Sequence, residues 1–551
     1  MQKNRDVTQD AQTLAAIQAL AGGADVPRAV EMARAALASG LVHPLLLNLR
    51  ASYWSQQGRL DDSLADLERA VQLAPTDLFV RNAYGMTLIH LERWAEAFRV
   101  LNETVAMAPD YGGAQYRLGF AHERTGDLDA ARVCYEKAVE LDPTFVMPLS
   151  HLADFAQRRS DWPAAKDYAS RALGLEPNHY VARAILASVS IAENQLDQAE
   201  LLLLPLIGRS EASPLDSAQG RRILGDLRHA QGRYSQAFQA YALGNKIKYD
   251  YYAKRHETPG TTGTDYCRWL ADYFKVADPA LWSAHRDLVS EGDDPRDGAI
   301  QHVFLVGFPR SGTTLLENVL ASHPQVVSLE ERDTFGAMTQ QYLVNEAGRD
   351  RLAHVTPKQI AEARAYYWAR VKEFGATVGG KVFVDKYPMT SLKLPMVAKF
   401  FPKAKVLFAV RDPRDVVLSC YRRSFAMNSS MFEFLEIGRA ARFYDEVMRL
   451  CAIYRENLGL EWHQIRNESL VEDFEGEIRR ACQFMGLEWN AQMNDFAIHA
   501  RGRTIRTPSS VQVVKGINRD GVGQWRHYRD EMAPAMAPLQ HWIETFGYPA
   551  E

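Results

Sequence analysis

Apolar and small residues recur at a fixed interval in the first half of the chain. Proline stands at positions 75, 109, 143 and 177, which are 34 residues apart. A small residue precedes each proline by twelve positions, in the series Ser63, Ala97, Ala131 and Ala165. A second small series comprises Ala51, Gly85, Gly119 and Ala153. Because small residues let two helices cross closely and proline ends a helix, this period predicts stacked pairs of antiparallel helices.

A different pattern begins near residue 299, where short apolar runs alternate with stretches of helical spacing. This alternation predicts an α/β domain with a central parallel sheet. Residues 251–298 contain turn residues and aromatic side chains without a period, and they are predicted to form a connector. The predicted fold class is therefore α + α/β, with an all-α superhelix over residues 10–250 and a P-loop-like α/β domain over residues 299–551.

The unit that begins at Gln115, QYRLGFAHERTGDLDAARVCYEKAVELDP, carries the whole pattern of the first half. This unit resembles the tetratricopeptide repeat, whose period is 34 residues. About six or seven such units fit into residues 10–250. The resemblance implies a concave surface of the kind that binds peptides or proteins, although nothing in the sequence identifies the ligand.

The composition excludes several classes of protein. The chain has 551 residues, a net charge of −4 and 47% hydrophobic residues, so it is expected to fold and not to bind nucleic acid. Its five cysteines lack both CxxC and zinc-ligand spacing, which predicts no metal site and favours a reducing compartment. The polar first residues, and the lack of an apolar run of bilayer length, predict a cytoplasmic protein without a membrane span. The sequence leaves a homo-oligomer open.

Residues 302–324, HVFLVGFPRSGTTLLENVLASHP, combine a strand, a glycine loop and a helix N-terminus. Backbone N–H groups and the helix dipole at such a junction favour an anion, and Gly307 and Gly312 let phosphate oxygens approach closely. The spacing is nearly that of a nucleotide P-loop, but Thr313 replaces the lysine of that motif. The loop carries Arg310 as its cation instead, which makes cleavage of ATP or GTP the less favoured alternative.

The loop FPRSGTT resembles the 5′-phosphosulfate loop of sulfotransferases that use 3′-phosphoadenosine 5′-phosphosulfate (PAPS). The resemblance implies that the cofactor is held by Arg310, Ser311, Gly312, Thr313 and Thr314. Residues 403–425 form a second strand, turn and helix, which resembles the 3′-phosphate segment of the same family and implies Arg411 and Ser419, with Arg423 as a further candidate. Two separate anion sites suit a ligand with a phosphate at each end of the nucleoside. PAPS is such a ligand, whereas ATP is not.

Three more segments resemble the tyrosylprotein type of this family. The pair of glutamates in VSLEERDTF implies Glu331 as the general base, with Glu330 as the alternative if the register is shifted by one. Lys386, in VFVDKYPMT, and Ser509, in TPSSVQ, match residues that stabilise the departing phosphate, a role the resemblance also gives to Arg310.

The C-terminal segment VKGINRDGVGQWR resembles the basic, glycine-containing cofactor loop of the family and implies Lys515 and Arg519. One residue departs from the family pattern, because Asn467 stands where a tyrosine often packs against adenine. The adenine contacts therefore remain open. His323 is the histidine nearest to these motifs, and its place before Pro324 indicates a structural role.

Together the motifs predict a sulfotransferase that transfers the sulfuryl group of PAPS to an acceptor hydroxyl and requires no metal ion. A tyrosine of a peptide or protein bound in the repeat groove is the acceptor that the resemblance favours, and a glycan or a small phenol remains an alternative. Two other functions stay open, namely a P-loop nucleotide-binding protein and a non-catalytic adaptor built on repeats.

Overall fold

A computed structural model describes residues 7–23, 25–207, 213–283, 298–501 and 516–550. The chain divides into two compact units. The first comprises Met1–Phe155 with Ala164–Ala182, and the second comprises Ala156–Pro163 with Arg183–Glu551. The predicted combination of an all-α part and an α/β part is confirmed.

The helices of the first half are consecutive and similar in length. They are α1 (Val7–Ala21), α2 (Val26–Ala38), α3 (Pro44–Gln56), α4 (Leu60–Leu73), α5 (Leu78–His90), α6 (Trp94–Met107), α7 (Gly112–Thr125), α8 (Leu128–Leu141), α9 (Val146–Arg158) and α10 (Trp162–Leu175).

The small residues of the period lie where paired helices cross. A Cβ atom at Gly85 in α5 would lie 2.6 Å from the Leu101 side chain in α6, and one at Gly119 in α7 would lie 2.9 Å from Tyr135 in α8. Ala97 is fully buried in the same seam. Larger residues at these positions would force the helices apart, so the period encodes the close helix pairs that the sequence predicts.

The second unit holds the remaining helices and the sheet. Its helices before the sheet are α11 (Tyr180–Ala192), α12 (Leu196–Ile207), α13 (Pro214–Ala230), α14 (Tyr234–His256), α15 (Gly263–Phe274) and α16 (Pro279–Ser283). Its strands are β1 (Gln301–Gly307), β2 (Val326–Glu330), β3 (Val382–Lys386), β4 (Lys405–Val410) and β5 (Glu461–Arg466). The helices between and after the strands are α17 (Thr313–Ala321), α18 (Gly336–Tyr342), α19 (Glu346–Ala353), α20 (Pro357–Glu373), α21 (Leu394–Phe400), α22 (Pro413–Arg422), α23 (Ser429–Phe432), α24 (Ile437–Asn457), α25 (Asn467–Glu472), α26 (Phe474–Met485), α27 (Phe496–Arg501) and α28 (Ala533–Thr545).

The five strands are parallel and lie in the order β2-β3-β1-β4-β5. In β1, Phe304 packs on one face of the sheet and Leu305 packs on the other, each in an apolar cluster. Ligands of open parallel sheets bind at the carboxyl ends of the strands, and here β1, β3 and β4 bring Gly307, Lys386 and Val410 to that edge. The sheet therefore gathers the predicted phosphate and catalytic segments at one edge.

The helix pair α13 and α14 belongs to the same unit as the sheet. Ala237 and Tyr241 of α14 lie in the apolar cluster that also contains Phe304 of β1. Asn245 donates to the Tyr421 carbonyl at 2.9 Å, and Lys248 Nζ donates to Ser424 Oγ at 2.7 Å. The predicted end of the repeat domain at residue 250 falls inside α14, and these contacts join the last repeat-like pair to the α/β fold.

The predicted connector over residues 251–298 contains the helix α15, which the lack of a period did not reveal. Its start is a capping box, in which the Thr262 hydroxyl accepts from the Asp265 N–H at 3.1 Å and the Asp265 carboxylate accepts from the Thr262 N–H. Cys267 and Leu270 then bury one face of this short helix. In the part of the chain that the structure describes, no helix is long and apolar enough to cross a membrane.

Candidate active site

The glycine loop after β1 has a backbone that few residues other than glycine adopt. Gly312 has a φ of +94°, and a Cβ atom there would lie 2.5 Å from Asn467 Oδ1. A Cβ atom at Gly307 would lie 2.5 Å from the Ala409 carbonyl oxygen of β4. Arg310 adopts a left-handed backbone with a φ of +72°, which is uncommon for a side chain of its size and marks a locally strained loop. Helix α17 begins directly after this loop, as predicted.

The structure places the loop hydroxyls at the first turn of α17. All three hydroxyl residues, Ser311, Thr313 and Thr314, are buried. The Ser311 N–H donates to the Phe308 carbonyl at 3.1 Å. The first N–H groups of a helix have no acceptor within the helix, so this turn presents donors toward the loop. The predicted residues of the first anion site therefore form one compact loop at the end of β1.

The second predicted anion site lies next to the first. Arg310 Nε donates to Ser419 Oγ of α22 at 3.0 Å, and Arg411 Nη1 donates to the Arg310 carbonyl at 3.2 Å. Arg411 Nη2 donates to the carbonyl of Gly521 in the C-terminal segment. The structure thus brings Arg310 together with Arg411 and Ser419, which follow it by about 100 residues in the sequence.

Positive charge accumulates in this cluster, because the charges of Arg423 and Arg411 both act on Arg310. Burial, with the charges of Arg423 and Arg411, lowers the pKa of the Arg310 guanidinium. Among the described residues, Arg411 forms no ion pair, and its buried Nε has no hydrogen-bond partner. Buried guanidinium groups that are this close to one another favour an anion between them. The residues present therefore fit a ligand with two phosphate groups.

A cavity opens between these arginines and the C-terminal segment. Its lining includes Arg310, Arg411 and Asn467 together with the apolar residues Leu315, Val471 and Val522. The cavity therefore combines cations with an apolar wall, as a nucleoside with attached phosphates requires. Asn467 stands at the start of α25 and borders the Gly312 loop, and in the described part of the wall no tyrosine takes its place.

The remaining predicted cofactor residues differ in their positions. Arg423 is one-third exposed and faces α13, where its Nη1 lies 3.8 Å from Asp226 Oδ2. Arg519 is exposed and does not line the cavity, although its carbonyl accepts from the Val522 N–H at 2.9 Å. Ser509 and Lys515 lie outside the described residues.

A buried lysine and two carboxylates form a cluster at the ends of β2 and β3. Lys386 is fully buried, and its Nζ lies 3.0 Å from Glu331 Oε1 and 3.6 Å from Glu330 Oε1. Burial alone would lower the pKa of the Lys386 ammonium, but the carboxylates of Glu331, Glu330 and Glu317 outweigh burial and raise it. Lys386 is therefore a cation held inside the domain by acids at the end of β2 and on α17.

The two glutamates differ in accessibility. The Glu331 side chain is 31% exposed, whereas the Glu330 side chain is 10% exposed. Glu331 has a left-handed backbone with a φ of +43°, and its N–H donates to the Lys386 carbonyl at 2.7 Å. Of the two carboxylates, that of Glu331 is therefore the more accessible to solvent.

Several polar residues near the motifs have structural roles. Arg414, in the helix after Arg411, is fully buried, forms a double hydrogen bond with Asp412 and donates to the Pro549 and Ala550 carbonyls. His323 has the structural role that the sequence indicates, because Nδ1 accepts from the Gln325 N–H at 3.1 Å and Nε2 lies 3.0 Å from the Glu488 carbonyl.

Sequence reasoning missed Asp415, which fixes the C-terminal segment beside the cavity. Its carboxylate accepts from the Gly523 N–H at 2.6 Å and from the Trp525 N–H at 2.9 Å. The residue lies four positions after Arg411, in the same helix start, but its partners are more than 100 residues away. This contact could not be predicted, because an acid in the first turn of a helix is ordinarily explained by the helix dipole.

Comparison with known proteins agrees with these motifs. Residues 302–491 match the sulfotransferase family, and residues 14–77 and 112–145 match the tetratricopeptide repeat. These matches confirm the predicted resemblance, namely a sulfotransferase-family domain that follows N-terminal tetratricopeptide repeats.

Relatives of two kinds are similar to the chain. An uncharacterized protein of Aquifex aeolicus (strain VF5) is 23% identical over 442 residues, which cover 78% of this chain and 54% of that protein. Protein-tyrosine sulfotransferase A of Caenorhabditis elegans is 27% identical over 248 residues, which cover 42% of this chain and 63% of that protein. Protein-tyrosine sulfotransferase 2 of Gallus gallus is 25% identical over 284 residues, which cover 45% of this chain and 69% of that protein. The chain thus spans between about half and two thirds of the length of the first two relatives.

Proposed function

We propose that this protein transfers the sulfuryl group of PAPS to an acceptor hydroxyl. The observation that carries the proposal is the pairing of Arg310 with Arg411 across one cavity, at the ends of two adjacent parallel strands. A nucleoside with a phosphate at each end fits two such sites, whereas ATP carries its phosphates at one end. The match of residues 302–491 to the sulfotransferase family supports the same reaction.

The residues of the cluster suit the demands of sulfuryl transfer. PAPS, when bound, supplies the sulfuryl group and leaves as the 3′,5′-bisphosphate. In this proposal Glu331 accepts the proton of the acceptor hydroxyl as the acceptor oxygen bonds to sulfur. Arg310 and Lys386 supply positive charge where the bond from sulfur to the phosphate oxygen breaks, and the first turn of α17 adds N–H donors there. Lys386 Nζ also lies 3.0 Å from Glu331 Oε1. To stabilise the departing phosphate oxygen, the ammonium group must give up this contact and donate to that oxygen instead.

We infer that the acceptor is a peptide or protein and that its reacting group is a tyrosine. Two relatives are named protein-tyrosine sulfotransferases, and tetratricopeptide repeats commonly bind peptides on their concave surface. A phenol needs less help from a base than an aliphatic hydroxyl, because its pKa is about 10. A solvent-accessible carboxylate such as Glu331 is sufficient for that proton transfer.

A ligand comparison tests this proposal against its alternatives. We expect 3′,5′-adenosine bisphosphate to raise the melting temperature of the protein and ATP with Mg²⁺ to leave it unchanged. Stabilisation by ATP with Mg²⁺ alone would indicate a P-loop nucleotide-binding protein, and stabilisation by neither would indicate an adaptor. Mass spectrometry of a cell extract incubated with the protein and labelled PAPS then identifies the acceptor.

Replacement of Arg411 separates the two anion sites. We expect Arg411→Ala to lower the affinity for 3′,5′-adenosine bisphosphate by about 10- to 100-fold, which is the effect of losing a charge-assisted hydrogen bond. Adenosine 5′-monophosphate, which lacks the 3′ phosphate, should lose far less affinity. Isothermal titration with both ligands measures the difference, and Arg411→Lys controls for the contact with the Arg310 carbonyl. Equal losses for the two ligands would contradict the role of Arg411 at the 3′ phosphate.

Truncation tests the role of the repeats in binding the acceptor. We expect a variant that comprises residues 177–551 to bind 3′,5′-adenosine bisphosphate like the full chain and to show a higher KM for the acceptor, because it retains α11–α14 but lacks the preceding repeats. A variant that begins at residue 251 should not fold, because it also removes Ala237 and Tyr241 from the apolar cluster around the sheet. An unchanged KM in the first variant would show that the repeats do not bind the acceptor.

A further inference from the structure

A second carboxylate lies on β3, next to Lys386 but on the opposite face of the sheet. Asp385 is fully buried, and its Oδ2 accepts from Thr334 Oγ1 at 2.9 Å and from the Tyr367 hydroxyl at 2.6 Å. The Tyr367 oxygen lies 2.9 Å from His302 Nε2. Four polar residues from β1, β3, α20 and the segment after β2 thus form one buried network.

This network lies among aromatic rings. Phe304, Phe335 and Phe401 each lie within 6.1 Å of the Tyr367 ring, measured between centroids. Burial raises the pKa of the Asp385 carboxyl to about 6, although the hydrogen bonds from Tyr367 and Thr334 act in the opposite direction. A polar network in such surroundings stabilises a fold little more than well-packed apolar residues would. Stability alone is therefore a weak reason for an acid at this position.

The network contacts the segment that carries Glu331. This segment is attached to β3 at two adjacent residues, because the Glu331 N–H donates to the Lys386 carbonyl and the Thr334 hydroxyl donates to the Asp385 carboxylate. Between these two contacts the chain makes a tight turn, in which the Thr334 N–H donates to the Arg332 carbonyl at 3.0 Å. The left-handed backbone of Glu331 persists only if the surrounding contacts hold it.

We propose that Asp385 is a positioning residue for sulfuryl transfer, which acts through Thr334 to fix the segment that carries Glu331. The inference rests on the proposed function, in which Glu331 receives the acceptor proton. Asp385 does not touch the cavity that binds the nucleotide, and it acts by restricting where the Glu331 carboxylate can lie relative to Lys386. An error of about 1 Å in such a position can cost about 100-fold in rate.

Thr334→Val tests this proposal with a change of nearly constant volume. We expect kcat to fall by about 10- to 100-fold, while the dissociation constant of 3′,5′-adenosine bisphosphate stays within about twofold of the wild-type value. Thr334→Ser restores the hydroxyl and should recover most of kcat. Thr339→Val is the matched control, because its hydroxyl bonds to the Phe335 carbonyl in its own helix and not to Asp385. Asp385→Asn, which keeps an acceptor oxygen for one of the two donors, should reduce kcat in the same way.

A crystallographic readout separates this inference from the proposed function. We expect the contact of 3.0 Å between Glu331 and Lys386 to be lost in Thr334→Val and to remain in Thr339→Val. If the contact is lost but the wild-type protein transfers no sulfuryl group, the proposed function fails, whereas the inference that Asp385 acts through Thr334 to fix the segment that carries Glu331 stands. If wild-type turnover is observed and Thr334→Val retains both kcat and the contact, the positioning role is wrong.

Discussion

Arg310→Ala weakens the binding of 3′,5′-adenosine bisphosphate by about 10²- to 10³-fold, which is the expected cost of removing one partner of a buried, hydrogen-bonded charge pair. The guanidinium donates to Ser419 Oγ, and no other residue of the glycine loop FPRSGTT carries a positive charge. Isothermal titration measures the loss directly. Circular dichroism should show an unchanged fold, because removal of Arg310 relieves repulsion from Arg411 and Arg423.

Arg479→Ala is a suitable control for the loss of charge alone. Its side chain is 53% exposed and pairs with Glu475 one helical turn away in α26, so it contributes nothing to the cavity. This variant should bind the bisphosphate with wild-type affinity. If Arg310→Ala also binds with that affinity, the phosphate role given to the loop is wrong, and the adaptor becomes the better explanation of the fold.

Glu331→Gln lowers kcat by about 10²- to 10⁴-fold and leaves PAPS affinity nearly unchanged, because a positioned general base contributes about that factor. Glutamine keeps the shape of the side chain and an oxygen that accepts from Lys386, but it cannot take up the acceptor proton. Single-turnover kinetics with saturating PAPS measures the chemical step. The decrease should be larger for an aliphatic hydroxyl than for a phenol, since the aliphatic hydroxyl is harder to deprotonate.

Glu330→Gln separates the two registers that the sequence left open. Glu330 is the less accessible carboxylate and lies farther from Lys386, at 3.6 Å against 3.0 Å for Glu331. We expect Glu330→Gln to retain most of its activity. Loss of activity in Glu330→Gln, with activity kept in Glu331→Gln, would shift the base by one residue. Full activity in both variants would show that the base lies elsewhere, even if PAPS binding is established.

Features that depend on local sequence could be predicted before the structure was known. The strand, loop and helix around Gly307 and Gly312 follow from backbone rules that hold wherever that pattern occurs, and the structure has β1 and α17 at the predicted positions. The close helix pairs of the repeats are equally local, because each small residue meets the next helix of its own unit. Both predictions needed information from fewer than 40 neighbouring residues.

Features that depend on distant partners could not be predicted in this way. Strand β5, EWHQIR, is a sheet edge whose polar residues remain partly exposed, so it lacks the apolar run that marked β1 and β4. Arg414 is buried because the chain end covers it with the Pro549 and Ala550 carbonyls. The hydrogen bonds in the network of Asp385 join residues that are 18 to 65 positions apart. In each case tertiary contacts, and not the local pattern, determine the environment of the side chain.

The register of the sheet also determines the order in which parts of the chain can fold. Val303 of β1 pairs with Val384 of β3 and with Lys405 of β4, so the central strand can pair only after residues that are about 80 and 100 positions later in the chain have been synthesised. The repeat helices contact near neighbours and can form while the rest of the chain is still being made. Loop-closure entropy therefore makes the catalytic edge of the sheet the late event in folding, and both anion sites are assembled together only once β4 has paired with β1.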